Sequence, residues 1–194
     1  MDFQSFNKIP RLLAKSMIIT EKLDGSNAQI TIAEDSKTMY IGSRNQWLAS
    51  YDGEVETWYS LTNKGKRLDN FGFGAWAIEN YAELLKLGHG RHYGEWWGQG
   101  IQRNYGLQEK RFSLFNMHLW KATTLPSCCS VVPVLYNEPG FSTEVAFRIL
   151  EELKRNGSYA APGFMNPEGI IVYHGSGVLF KKTFDNDLGK FSEA

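Results

Sequence analysis

Residues 17–32 read MIITEKLDGSNAQITI. The first four residues of this stretch are apolar or β-branched, and apolar and polar side chains alternate over residues 28–32. Both patterns are typical of short β-strands, the second of a strand that is buried on one face. Asp24 and Gly25 between them form a turn signal. The stretch therefore predicts two strands joined by a tight turn, with Lys22 at the end of the first strand.

Lys22 is the first candidate for chemistry in the chain. A lysine amine attacks an electrophile only when it is neutral, and a reference pKa of about 10.4 leaves roughly one such amine in a thousand neutral at pH 7. A lysine nucleophile therefore needs cationic neighbours, a metal ion or burial away from water. A lysine before an Asp-Gly turn is by itself more often a solvated side chain, so other residues have to supply that setting.

The composition limits the classes of protein to which this chain can belong. The chain has 194 residues with 21 basic and 21 acidic side chains, so any contact with nucleic acid must come from a local patch. The two cysteines, Cys128 and Cys129, are neighbours, which suits neither a disulfide framework nor a structural zinc site. The sequence has no apolar run of membrane-spanning length and no signal-peptide pattern. We therefore expect a soluble, cytoplasmic protein with no membrane contact.

Hydrophobic patterning predicts an α+β fold of mainly antiparallel sheets flanked by helices. Apolar residues recur at helical spacing over residues 75–87, and again over residues 142–157. Residues 126–130 are interpreted as a loop. Further strands are predicted at residues 39–41, 93–97, 112–120, 131–136, 169–173 and 178–184. We expect a single domain over residues 1–194, because no linker or internal repeat interrupts the pattern.

Charged residues collect at the ends of five predicted strands. Three of these places attach a carboxylate to a glycine, which lets the backbone turn tightly and lets a ligand approach closely. Together the five places offer carboxylates for a divalent ion and cations for a phosphate tail. Each alone has a simple explanation as a turn, an edge-strand charge or a surface pair, but those explanations do not account for the ordered set. The places are residues 22–25 (KLDG), 43–45 (SRN), 93–98 (YGEWWG), 167–172 (PEGIIV) and 180–183 (FKKT).

This ordered set resembles the collinear motifs of the covalent nucleotidyltransferase superfamily, which contains polynucleotide ligases and RNA capping enzymes. Glu21 before the lysine and Asn27 five residues after it resemble the ATP-dependent RNA ligase branch, which seals or repairs RNA. Asp24 stands where that branch more often has a histidine. The resemblance covers residues 21–183. It implies a nucleotidyltransferase (ATP-grasp-like ligase) fold, here as a minimal, stand-alone adenylyltransferase domain.

The resemblance also implies a reaction in three steps. Lys22 would attack the α-phosphorus of ATP and hold AMP as a phosphoamide, AMP would pass to a 5′-phosphate RNA end, and a 3′-hydroxyl would displace it to seal the strand. Mg²⁺ or Mn²⁺ would assist, with Glu168 helping to position the metal ion. Lys181 or Lys182 would contact the α-phosphate. The family motif is usually Lys-x-Lys, so the adjacent lysines leave this choice open.

Five further residues would contact the nucleotide, according to the resemblance. Glu21 would lie near the adenine amino group, and Phe115 would stack on the base. Glu95 would bind the ribose hydroxyls. Asn27 and Arg44 would face phosphate or the water shell of the metal ion.

The expected partner is nucleic acid, as RNA ends or nicks or as DNA, and no obligate protein partner is evident. Only 11 residues follow Thr183, so we expect neither an OB-fold nor another carboxy-terminal domain. Strand binding would then use basic side chains and aromatic rings on the domain's own surface, although residues 64–67 fit a solvated loop equally well. The candidates are Lys64, Lys66, Arg67, Arg103, Lys110 and Arg111, with Trp96, Trp97 and Tyr105 for stacking.

Two other functions stay open at this point. A DNA ligase or a guanylyltransferase-like enzyme would share the same core chemistry, and a comparison of ATP with GTP and of RNA with DNA nicks separates them. Outside the enzymes, the alternative is a non-catalytic nucleic-acid-binding module with a degenerate site. The intact motif set argues against that module.

Overall fold

Two β-sheets form the framework of the structure, a computed structural model that describes residues 16–120 and 124–185. The strands are β1 (Ser16–Lys22), β2 (Ser26–Ile32), β3 (Met39–Ser43), β4 (Trp47–Tyr51), β5 (Glu56–Trp58), β6 (Gly90–Gly98), β7 (Lys110–Leu114), β8 (Cys129–Val131), β9 (Val134–Pro139), β10 (Gly169–His174) and β11 (Val178–Thr183). The smaller sheet has the strand order β11-β10-β1-β9, and the larger sheet has the order β5-β4-β3-β2-β6-β7-β8. Neighbouring strands are antiparallel, except for the parallel pair β7 and β8. The predicted α+β fold with mainly antiparallel sheets is confirmed.

The turn after Lys22 carries the chain from one sheet to the other. β1 pairs with β9 and β10 in the smaller sheet, whereas β2 pairs with β3 and β6 in the larger one. Lys22 lies opposite Gly169 of β10, and Asn27 lies opposite Glu95 of β6. The turn therefore lies at the junction of the two sheets, where side chains from both can reach one site.

Alternation along the strands gives each sheet a buried apolar face. Apolar side chains of β1 and β10 pack against α3 (Thr143–Asn156), and those of β2 and β3 pack against two short helices, α1 (Phe73–Glu79) and α2 (Tyr81–Leu84). A third, smaller cluster consists of Leu23, Trp97, Tyr105, Val132 and Ala161. Leu23 lies inside the KLDG motif and is only 3% exposed, so its burial holds the motif in place.

The second predicted helix is confirmed, and the first is interrupted. α3 begins after Ser142, whose hydroxyl caps its first turn, and is followed by Gly157. The helix predicted over residues 75–87 is wrong as a single element. Asn80, with a non-helical ψ of 16°, separates α1 from α2, and its side-chain amide donates to the Trp76 carbonyl at 2.9 Å. Within the described ranges, no helix is long and apolar enough to cross a membrane.

Two predicted strands differ from the structure. The strand predicted at residues 112–120 extends no further than β7, and the one predicted at residues 131–136 is divided between β8 and β9, which belong to different sheets. Pro133 lies between β8 and β9. It interrupts the predicted strand, because proline has no N–H to donate to a strand ladder. The loop predicted at residues 126–130 is partly wrong, since β8 begins at Cys129. The strands predicted within residues 17–32 are confirmed as β1 and β2, and the remaining predicted strands are confirmed as β3, β6, β10 and β11.

The close packing of Gly25 against β6 is open to a stability test. A Cβ at Gly25 would lie 2.4 Å from the carbonyl oxygen of Trp96 and 2.8 Å from the Cβ of Trp97. Because both atoms belong to a central strand, we expect Gly25→Ala to lower the free energy of unfolding by about 3 kcal/mol, measured by denaturant titration. Gly65→Ala is the control, because a Cβ there meets no atom of the described residues within 4 Å, and the left-handed backbone conformation costs about 1 kcal/mol for alanine. Equal losses in the two variants would contradict the packing.

Candidate active site

A cleft of about 320 Å³ opens between the two sheets beside the KLDG turn. Its walls come from β1, β2, β6, β10 and β11 and from the segments that follow β3, β7 and β8. The structure thus brings into one cleft residues that are far apart in the sequence. The predicted site residues that line it are Glu21, Lys22, Asn27, Arg44, Glu95, Phe115 and Lys181.

Lys22 forms an ion pair with Glu168, the carboxylate predicted to position a metal ion. Lys22 Nζ donates to Glu168 Oε2 at 2.6 Å, and the two side chains are only 23% and 16% exposed. Burial raises the pKa of the Glu168 carboxyl, and the hydrogen bond from Lys22 opposes that shift. The group in contact with the amine is therefore a carboxylate that accepts a proton more readily than an exposed one would.

Glu95 is a buried carboxylate on the larger sheet, 8% exposed. It accepts the Gly25 N–H at 3.1 Å through Oε1 and the Asn27 side-chain amide at 3.4 Å through Oε2. Burial raises the pKa of Glu95 to about 7, although the charge of Lys22 and the hydrogen bond from Gly25 act in the opposite direction. At neutral pH this carboxyl therefore exists in both protonation states.

Glu21 is almost completely buried, at 1% exposure, and its two oxygens differ in their surroundings. Oε2 accepts the backbone N–H groups of Tyr159 at 2.8 Å and of Ala160 at 3.0 Å. Oε1 has no hydrogen-bond partner among the residues that the structure describes. Burial raises the pKa of this carboxyl, and the nearby Ser158 side chain and the N–H groups of Ala160 and Tyr159 oppose the shift. A buried acceptor without a partner is costly unless a ligand supplies the donor.

The lining of the cleft combines apolar surface with positive charge. Its apolar side chains are Leu23, Phe115, Val132, Ile171 and Leu179. Its cations are Lys22, Arg44 and Lys181. A flat aromatic ligand fits the first group, and a phosphate tail fits the second, because lysine and arginine form charge-assisted hydrogen bonds with phosphate oxygens.

The two lysines of β11 occupy different environments. Lys181 lines the cleft, whereas the Lys182 amine lies 5.6 Å from the centre of the Phe147 ring on α3. Alternation along the strand accounts for this difference. Gly169 of β10 lets β11 pack closely against it, because a Cβ at this position would lie 2.2 Å from the Lys182 carbonyl oxygen. Of the two candidates for the phosphate contact, Lys181 is the one that the structure places in the cleft.

Arg103 has a structural position that sequence reasoning missed. Its Nε donates to Asp24 Oδ2 at 3.0 Å, and its other nitrogens contact the Asn166 carbonyl at 3.4 Å and the Asp185 carboxylate. It therefore connects the KLDG turn to the segment before Glu168. The only signal in the sequence was the unusual Asp24, a carboxylate that needs a cation nearby.

The aromatic residues proposed to stack on nucleic acid are not available for that role. Trp96, Trp97 and Tyr105 are 2%, 1% and 2% exposed, so that prediction is wrong. β6 is an inner strand of the larger sheet, and its tryptophans pack into the hydrophobic clusters. Several of the proposed basic residues have partners within the protein: Arg67 with Glu56, Arg103 with Asp24 and Asp185, Lys110 with the Phe71 carbonyl, and Arg111 with Glu109.

Two sheets with a lysine-bearing cleft between them form the nucleotidyltransferase fold, which solved RNA ligases share. The family model for RNA ligase matches residues 15–183, which is most of the chain. The chain therefore belongs to the RNA ligase family. No curated protein matches it.

Three structures of Naegleria gruberi RNA ligase illustrate the shared fold. A lysine-to-methionine mutant with AMP and Mn has a TM-score of 0.60 and 18% identity, over 88% of this chain and 50% of that one. A glutamate-to-alanine mutant with AMP and Mn has a TM-score of 0.61 and 18% identity, over 89% and 50%. The enzyme with PPi has a TM-score of 0.59 and 20% identity, over 88% and 50%. The present chain thus spans about half the length of the RNA ligase chains that it matches.

The raised pKa of Glu95 makes stability depend on pH. Between its ordinary value of 4.5 and about 7, the folded protein holds a proton that the unfolded chain has lost, so raising the pH through this window lowers the free energy of unfolding. Glutamine has no proton to lose. We therefore expect the free energy of unfolding of Glu95→Gln, taken relative to that of the original protein, to rise on the order of 2–3 kcal/mol between pH 4.5 and pH 8.

Thermal and denaturant unfolding at the two pH values measure this difference. Glu34→Gln, at an exposed position between β2 and β3, is the matched control and should follow the original protein. A constant difference between Glu95→Gln and the original protein across this range would show that the Glu95 carboxyl titrates as an exposed group does.

Proposed function

We propose that this chain is the catalytic domain of an ATP-dependent RNA ligase that works through a lysyl-AMP intermediate on Lys22. The observation that carries the proposal is the cleft itself, which places Lys22 beside Glu168 and gathers the predicted nucleotide contacts around it. Membership of the RNA ligase family supports RNA over DNA as the strand that is sealed.

The cleft offers a specific set of contacts to an adenosine nucleotide. Phe115 supplies a ring for stacking, and Glu95 supplies a carboxylate for the ribose hydroxyls. Glu21 lines the cleft, and its Oε1 has no hydrogen-bond partner among the described residues, which suits the exocyclic amino group of adenine. Guanine carries a carbonyl oxygen at that position, and two acceptors facing each other repel. These groups therefore favour ATP over GTP.

The first chemical step needs a neutral Lys22 in line with the α-phosphorus. The amine forms the N–P bond, the bond from the α-phosphorus to the pyrophosphate oxygen breaks, and the amine loses a proton. Glu168 Oε2, 2.6 Å from Nζ, is placed to take that proton. Arg44 and Lys181 offset the negative charge that spreads over the phosphate oxygens.

A divalent ion at Glu168 would need ligands from the substrate as well as from the protein. Among the described residues there is no cluster of three or more acidic, histidine or cysteine side chains that could hold a metal ion by itself. Glu168 provides a carboxylate beside Lys22, and Mg²⁺ typically takes one or two carboxylates together with substrate phosphates and water. Glu168 would help to hold Mg²⁺ or Mn²⁺, which neutralises phosphate charge when bound.

The second step takes place at the phosphorus of AMP, and the third at the phosphorus of the RNA 5′-phosphate. In the second step the 5′-phosphate of an RNA strand forms a bond to the AMP phosphorus while the N–P bond to Lys22 breaks, which returns the lysine. The 3′-hydroxyl of the second strand then attacks the 5′-phosphate, and AMP leaves as the phosphodiester forms. Each step is an in-line displacement at phosphorus, so one set of cations can serve all three.

Labelling with radioactive ATP tests the first step. After incubation with ATP labelled at the α-phosphate and Mg²⁺, we expect label on the denatured protein and none on Lys22→Ala, because the bond is covalent and forms on that amine. Lys37→Ala, which removes an exposed lysine between β2 and β3, is the matched control and should label normally. The proposal is wrong if Lys22→Ala still labels, or if the unmodified chain takes no label with Mg²⁺ or Mn²⁺.

The Oε1 acceptor of Glu21 predicts nucleotide choice. We expect labelling with ATP to exceed labelling with GTP by roughly tenfold or more, since a mismatched buried polar group is costly. In Glu21→Gln the amide oxygen can keep the bonds to Tyr159 and Ala160, which leaves an N–H₂ donor for the base. This preference should then shrink or reverse. An unchanged ratio of kcat/KM values for the two nucleotides would remove Glu21 from base recognition.

A further inference from the structure

Tyr93 lies on β6 next to the proposed nucleotide site. It is two residues before Glu95, and side chains two apart share one face of a strand, about 7 Å from each other. The pairing of β6 with β2 places Tyr93 opposite Gln29 and Glu95 opposite Asn27. Tyr93 and Gln29 therefore form the next row of side chains on the sheet, beside the row that the nucleotide would contact.

A second cavity, of about 290 Å³, adjoins the cleft at this row. Asn27, Arg44 and Phe115 line both spaces, so the two cavities lie next to each other. The residues that line only the second cavity, and not the cleft, are Ala28, Gln29, Ser43 and Tyr93. Its volume and position suit one more nucleotide next to the one in the cleft.

The ring of Tyr93 is available for a ligand. Half of its surface, 50%, is exposed, in contrast to Trp96 and Trp97 on the same strand. Among the residues that the structure describes, no other aromatic ring packs against it. Large rings are normally buried or in contact with other apolar groups, so an open ring beside a reactive cleft indicates a binding surface.

The neighbours of Tyr93 match the parts of a nucleotide. Arg44 brings a guanidinium for a phosphate, and Gln29 and Ser43 bring polar groups for ribose hydroxyls. The Gln29 amide donates to the Ser43 carbonyl at 3.3 Å, and its side chain lies over Gly42, where a Cβ would come within 2.7 Å of it. The floor of the cavity is therefore formed by the polar Gln29 side chain, and the flat ring of Tyr93 lies at its side.

We propose that Tyr93, with Gln29 and Arg44, forms the platform on which the terminal nucleobase of the RNA strand stacks while that strand receives AMP. The inference rests on the proposed ligase function and adds the place where the strand binds. It replaces the buried rings Trp96 and Trp97 as the source of stacking. Stacking on a ring accepts any base, so the platform favours an unpaired or frayed end over a particular sequence.

The experiment compares two measurements on the full chain. The first is formation of lysyl-AMP from ATP without RNA, and the second is transfer of AMP from the labelled protein to a 5′-phosphorylated RNA, with the RNA concentration varied. For Tyr93→Ala we expect the KM and Kd for RNA to rise roughly 5- to 150-fold. Tyr93→Phe keeps the ring and should keep the RNA constants. Tyr93→Leu keeps apolar bulk without a flat ring and should lose affinity as Tyr93→Ala does.

Tyr59→Ala is the matched control. Tyr59 is also 50% exposed, but it follows β5 at the far edge of the larger sheet, four strands from β6, so its loss should leave the RNA constants unchanged. The inference is wrong if the unmodified protein transfers AMP to RNA and Tyr93→Ala does so with the same KM. If the unmodified protein forms no lysyl-AMP, the proposed function fails instead. Lysyl-AMP formation by each variant also shows that it is folded.

Discussion

The register between β1 and β10 is the constraint on which the site depends. It places Lys22 opposite Gly169 and brings the lysine amine within 2.6 Å of Glu168. A shift of one residue would turn every side chain of β1 to the other face of the sheet. The apolar residues that β1 and β10 bury against α3 hold this register, because such a shift would expose them. Packing outside the cleft thus determines which groups meet inside it.

Two buried carboxyls, Glu21 and Glu95, and the partly buried Glu168 give the site its chemistry and make it costly to fold. Burial raises the pKa of Glu21, Glu95 and Glu168, so each charge is present at a cost in stability. Lys22 offsets part of that cost as a counter-ion, and the nucleotide, RNA and metal ion of the proposed reaction would use the remaining donors and acceptors. Ionisable groups held in unfavourable surroundings are typical of catalytic sites.

Sequence patterns indicated most of the side chains that meet in the cleft, because the chemistry is carried by residue types at fixed spacing, but they did not separate Lys181, which lines the cleft, from Lys182. They did not indicate what holds those side chains. The amides of Tyr159 and Ala160 that fix Glu21 have no signature in the sequence, since every residue but proline has a backbone N–H. The burial of Trp96 and Trp97 follows from the inner position of β6 in its sheet, a long-range arrangement that composition does not encode.

Peptide mapping by mass spectrometry after incubation with ATP and Mg²⁺ shows which residue is the nucleophile, because it locates the modified side chain without any substitution. We expect one AMP on the peptide that contains Lys22 and none on the peptides that contain Lys181 or Lys182. AMP on another lysine, with Lys22 unmodified, would contradict the assignment of the nucleophile and the reading of the cleft that depends on it.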